Sequence, residues 1–163
     1  MKGTNMKMAT VCSVFLKAGM QEVSAVLASG NILFSSKQSA EDLNRVLAKA
    51  MADHFSYEAF LFVKNRAEIE TIVLENPFDA EADYHVYSFV GQAGIEKVLL
   101  SEFERGEQHI GEEAQLVNGN FYWKVPKGSS VKTDLGKVLG KKKLKDSFTS
   151  RNINTMERVL NKM

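Results

Sequence analysis

Residues 114–125 read Ala114-Gln115-Leu116-Val117-Asn118-Gly119-Asn120-Phe121-Tyr122-Trp123-Lys124-Val125. Asn-Gly between two apolar runs is a strong short-range hairpin signal, because both residues tolerate the positive φ that a two-residue turn demands. The pattern predicts strands over 114–117 and 121–125. Side chains alternate along a strand, so Phe121, Trp123 and Val125 share one face, and Trp123 is expected in a core. Upstream, Tyr84–Val90 reads as a strand, and Ile95, Val98, Leu99 and Phe103 form a helical stripe. Further back, Asn65 caps a helix with Glu68 at the capping-box position and Ile69, Ile72 and Val73 facing inward. That helix stops before Asn76-Pro77, since a residue preceding proline avoids the α region. Downstream, Leu135, Val138 and Leu139 suggest a short helix. A last helix carries Met156, Val159, Leu160 and Met163, with Asn154 as its cap.

The first half follows a related order. Met8, Val11, Cys12, Phe15 and Leu16 recur at helical spacing, and Gly19 stands where that helix stops. Val23 to Phe34 reads as two short strands around Ser29-Gly30-Asn31. Ser39 caps a second helix whose inner face is Leu43, Val46, Leu47, Ala50, Met51 and His54. Glu58–Lys64 then reads as a buried strand. Helix, strand, strand, helix, strand is a βαββαβ unit without its first strand. The expected fold is therefore α+β: two ferredoxin-like (βαββαβ-type) lobes with antiparallel sheets packed by helices, over residues 1–75 and 76–163.

Composition excludes several classes. Of 163 residues, 44% are hydrophobic and 25% charged, the balance of a soluble globular chain. The longest strongly apolar run, Ala59–Val63, is far short of the about 20 residues of a membrane helix, so no membrane partner is expected. Met1-Lys2-Gly3-Thr4-Asn5 lacks the apolar core of a signal peptide. Cys12 is the single cysteine and makes no internal disulfide, which fits a cytoplasmic location. Charge is uneven. Residues 1–123 carry a balance of −7 and residues 124–163 one of +8, through Lys124, Lys127, Lys132, Lys137, Lys141, Lys142, Lys143, Lys145 and Arg151 among others. Such a stripe either holds phosphates or is a solvated face that complements the acidic half of the same chain. No aromatic residue interrupts Lys141–Lys145, which argues against stacking on single-stranded bases.

Catalytic spacing is missing. His54, His85 and His109 stand far apart, and the chain has no phosphate-binding GxxxxGK[ST], no GxGxxG and no GxSxG. No cofactor is expected. Cys12 reads as a small core residue and His54 as packing. His109 reads as a solvated loop side chain, and Glu112-Glu113 and Glu41-Asp42 as solvated carboxylates. Two stretches are more specific than a core requires. Ser29-Gly30-Asn31 offers turn amides and an asparagine to an anion. Thr149-Ser150-Arg151-Asn152-Ile153-Asn154-Thr155 opens the last helix. Capping accounts for Asn154 and Thr155 but not for Arg151 and Asn152, which either bind an anion at the helix start or serve the local structure.

At these stretches the sequence resembles the bacterial domain of unknown function family 1697. The resemblance rests on Lys2-Gly3-Thr4-Asn5-Met6-Lys7-Met8, Ser29-Gly30-Asn31-Ile32-Leu33-Phe34, Asn76-Pro77-Phe78, Val125-Pro126-Lys127-Gly128 and the 149–155 run. It implies two ferredoxin-like lobes and no particular activity. It also implies a strand and an Arg-Gly loop upstream of the point where this chain starts. Without that strand, a second copy of the chain, a rearranged sheet order or water in an opened groove has to take its place. A homodimer is the favoured expectation, because it repairs both copies at once.

Three functions compete. One is a binding module whose basic half, with Arg151 and Asn152, holds nucleic acid or a phosphorylated ligand. Another is an enzyme acting on an anionic small molecule in a cleft lined by Ser29, Asn31, Lys127, Arg151 and Asn152. The third is an interaction protein that offers an exposed sheet edge.

Overall fold

Helix α1 (Met8–Lys17) begins the computed structural model, which describes residues 6–56 and 58–163. The opening Lys2–Asn5 part of the family resemblance lies outside the described residues. Gly19, at φ +96°, turns the chain after α1, because a residue with a Cβ is strained there. Strands β1 (Gln21–Val26) and β2 (Asn31–Ser35) pair antiparallel, with a bulge between Gln21 and Ser24. Helix α2 (Ala40–Phe55) starts at Ser39, whose hydroxyl accepts the Asp42 N–H at 3.2 Å. Val11, Val14 and Phe15 from α1 bury against Leu43, Leu47 and Met51 from α2, while Leu16, expected on the α1 stripe, is exposed and Val14 takes a core position. His54 is exposed on α2, with its ring edge on Phe55, and does not join this core.

Residues 58–64 differ from expectation. Ala59, Leu61 and Val63 do pack on the α1–α2 core, but the segment forms no ladder with β1 or β2. The Asn44 side-chain amide donates to the Leu61 carbonyl at 2.8 Å instead, so α2 holds the segment. An alternating apolar pattern becomes a strand only where a neighbouring edge accepts it.

The chain divides into two compact units, Met1–Arg66 with Arg158–Met163, and Ala67–Glu157. The second contains α3 (Arg66–Leu74) from Ala67 on, β3 (Tyr84–Gly91), α4 (Ile95–Arg105), β4 (Glu113–Val117), β5 (Asn120–Pro126), α5 (Asp134–Leu139) and β6 (Phe148–Asn152). Helix α6 (Ile153–Lys162) closes the chain. The four strands lie in the order β4-β5-β3-β6, with every neighbour antiparallel. From β3 to β6 this is the βαββαβ order of a ferredoxin-like unit. The protein is thus α+β, with two antiparallel sheets packed by helices.

The hairpin closes as its sequence dictates, with Asn118 at φ +47° and Gly119 at φ +81° between β4 and β5. One sheet face carries Phe121, Trp123 and Val125 of β5 and Phe89 of β3. Ile95 and Leu99 of α4 and Leu135 of α5 cover it. On the other face Tyr122 is fully buried and donates its hydroxyl to the Ile72 carbonyl of α3 at 2.7 Å, which explains why this helix groups with the second sheet. Burial, and next the Glu75 carboxylate, push the Tyr122 phenol from 10.0 up to about 12.

That shift has a sign. Between pH 10 and 12 the unfolded chain gives up the tyrosine proton while the folded chain keeps it, so stability falls as pH rises through this window. A phenolate absorbance titration should show one tyrosine with a midpoint near 12, absent in Tyr122→Phe. That variant should also lose about 1 kcal/mol at neutral pH with its hydrogen bond. Loss of an ordinary midpoint instead would contradict the burial argument.

Candidate functional site

Ser29, Gly30 and Asn31 lie where expected, in the turn and first residue of the β1–β2 hairpin. Gly30 takes φ +88°, and the Asn31 amide donates to the Val26 carbonyl at 3.0 Å and to the Ser29 hydroxyl at 2.9 Å. These bonds close the turn. They give the asparagine a structural task within the first unit.

In the second unit the 149–155 run holds a strand that the sequence reading placed in a helix start. Arg151 and Asn152 belong to β6, and as consecutive strand residues they point to opposite faces. They therefore do not form one paired site. The Arg151 guanidinium donates to the Thr149 hydroxyl and to the Ser150 carbonyl, the latter at 2.8 Å, and burial lowers its pKa. Asn152 is the true cap of α6: its Oδ1 accepts the Asn154 N–H at 2.9 Å. The cap thus falls two residues before Asn154, the residue expected to fill that role.

Asn152 also reaches a residue that sequence reasoning passed over. Its Nδ2 lies 3.0 Å from His85 Nδ1 on β3. The His85 ring stands 5.8 Å from Tyr87, which in turn stands 5.7 Å from Trp123, so an aromatic row runs across β3 and β5. Lys127 extends the same end of the sheet, its N–H donating to the Asp83 carbonyl at 2.9 Å just beyond the Tyr84–Pro126 pair. Asn152 thus contacts His85, while Lys127 lies two positions beyond Val125, the cross-strand partner of His85.

Basic side chains divide into engaged and open ones. Lys124 is engaged: it pairs with Glu81 and lies 3.5 Å from Glu113 and 4.5 Å from the Tyr84 ring centroid. The hydrogen bond to Glu81 leads the causes that raise its pKa. Lys127, Lys132, Lys137, Lys141, Lys142 and Lys143 are all exposed and form no ion pair among the described residues. The lysine run is folded, since Leu144 packs on the core and the Lys145 N–H bonds to the Lys141 carbonyl at 3.2 Å. Leu144 turns inward and Lys141–Lys143 outward. Within this stretch Asp134 turns back to accept the Glu107 N–H at 2.9 Å.

Glu112 is not the solvated carboxylate expected. It is buried, and accepts the Trp123 indole N–H at 2.9 Å and the His109 backbone N–H at 2.8 Å. His109 itself is exposed, and Cys12 is half-buried on α1. Among the described residues no group of three or more His, Cys, Asp or Glu side chains could hold a metal ion, and no helix is long and apolar enough to cross a membrane.

These features define an α+β protein with a ferredoxin-like second unit that carries an open basic surface. The family described as "Protein of unknown function (DUF1697)" matches residues 1–122, and the chain belongs to it. Among solved structures, the chain is similar to the conserved bacterial protein SP0830 from Streptococcus pneumoniae. The two share 21% identity and a TM-score of 0.78, over 98% of this chain and 93% of that one. At that identity the likeness shows the fold alone. No curated protein matches.

Proposed function

We propose that the second unit is a binding module for a phosphorylated or polyanionic ligand, nucleic acid included. One observation carries the reading: six exposed lysines between Lys127 and Lys143 have no ion pair among the described residues, and Asp134, the carboxylate in that stretch, is turned to backbone. Unneutralised charge held on a folded surface attracts phosphates, and binding releases their condensed counterions. Lys127 stays in this reading from the sequence-derived set. Arg151 bonds within β6 and Asn152 caps α6, and the Ser29–Asn31 turn is not needed.

Fluorescence anisotropy of a labelled oligonucleotide, measured from low to high salt, tests this. Log affinity should fall linearly with log salt. Changing Lys141, Lys142 and Lys143 together to glutamine should flatten that slope by about 2–3, near one for each phosphate contact removed. Affinity indifferent to salt, or to the triple change, would sink the reading.

A further inference from the structure

We propose that His85 and Lys127 form a subsite for a terminal phosphate group, with Asn152 as the residue that positions the histidine. The inference rests on the anion-binding reading and names the ligand class at one place within it. The Asn152 amide has one orientation that satisfies both of its contacts. Its Oδ1 accepts the Asn154 N–H, so its NH2 group faces His85 Nδ1. A donor facing Nδ1 requires a lone pair there, which places the hydrogen of the neutral ring on Nε2. Among the described residues the one buried side-chain N or O atom without a partner is Glu75 Oε2. His85 Nε2 has no partner among these residues and is not among the buried atoms that lack one, so it is accessible to solvent. The ring presents a donor, suited to an acceptor such as a phosphate oxygen and not to a metal ion.

Lys127 supplies the charge. Val125 is the cross-strand partner of His85, and the Lys127–Asp83 hydrogen bond carries the ladder onward. Lys127 is then the diagonal neighbour of His85 on the same face, at the roughly 7–8 Å spacing that a long side chain spans. In the loop that follows, the N–H groups of Gly128 and Ser130 have no acceptor among the described residues. Opposite Lys127 stands Asp83, exposed and not ion-paired with it. This end of the sheet thus offers the ring N–H, the Lys127 ammonium and two backbone N–H groups, with the Asp83 carboxylate opposite. A terminal phosphate, with about −1.5 to −2 charge and three acceptor oxygens, matches such a set better than a singly charged diester.

The test uses the full chain and long-range 1H–15N spectra of the histidine rings. Free His85 should show the Nε2–H tautomer, and Nε2 should shift saturably with phenyl phosphate but not with dimethyl phosphate. A 5′-phosphorylated oligonucleotide should bind at least fivefold tighter than the same oligonucleotide without the phosphate. His85→Gln and Lys127→Ala should each abolish that preference, and Asp83→Asn should raise it. Asn152→Asp keeps an acceptor for the helix cap but loses the NH2 group, so it should change the His85 tautomer while thermal stability holds. Inorganic phosphate competing as well as phenyl phosphate would point to the free ion as the source of the group. An Nδ1–H tautomer in the free protein, or equal affinity for the two oligonucleotides, overturns the subsite and leaves the lysine-based reading standing. If neither oligonucleotide binds but phenyl phosphate still moves Nε2, the subsite stands and the polyanion reading falls.

Discussion

Replacing Trp123 by alanine should destabilise the second unit by about 3–5 kcal/mol. The side chain is 3% exposed, lies among Phe121, Val125 and Leu99, and places its ring 5.7 Å from Tyr87. Truncation opens a cavity and also removes the indole donor from Glu112, which is itself buried. The two losses can be separated. Trp123→Phe retains most of the apolar volume and should cost about 1–3 kcal/mol, the range for leaving a buried polar group without its partner. Trp123 is the sole tryptophan, so urea unfolding has to be followed by circular dichroism. A domain commonly has only about 5–15 kcal/mol in hand, so the alanine variant should sit near its unfolding margin at room temperature. A loss below about 1 kcal/mol would mean that the indole is not part of the core.

Gly136→Ala should cost about 3 kcal/mol, the upper end of overpacking penalties, although alanine is the better helix former. A Cβ at Gly136 would run into the Ser130 carbonyl oxygen, a backbone atom that cannot swing aside. The same oxygen accepts the Thr133 hydroxyl at 3.1 Å, and the Thr133 oxygen accepts the Gly136 N–H at 2.9 Å as the cap of α5. Moving Ser130 therefore disturbs the cap as well as the turn. Gly140→Ala is the control, because its Cβ would meet only the Lys137 carbonyl at an ordinary 3.6 Å. Thermal melts should separate the two variants clearly. Equal melting temperatures would show that the turn yields.

The β4–β5 hairpin was legible because its turn chemistry and alternation are local. So were α2, whose cap and apolar face lie within one helix, and the exposed lysine run. What escaped depends on distant partners. Strand β6 has one large apolar residue, Phe148, and is an edge strand whose identity comes from pairing with β3. Missing it hid the Asn152 cap and the contact with His85. Glu112 looked solvated because its burial depends on Trp123, on the neighbouring strand. Residues 58–64 show the converse. Their alternation was legible, but no ladder partner stands beside them among the described residues. A fourth strand was foreseeable from the βαββαβ order alone, and with it the placement of Arg151 and Asn152 on opposite faces.

The sheet order also sets a timetable for synthesis. Ser88 and Arg151, bonded across β3 and β6, are separated by 63 positions in the chain. At about 5–20 residues per second, β3 waits about 3–13 s on the ribosome for its outer neighbour. The β4–β5 hairpin can close within microseconds of emerging, and it covers the other side of β3 first. During the interval one edge of β3 is a row of unpaired amides and carbonyls, open to a strand from another nascent chain. The last strand made is the one that ends this exposure.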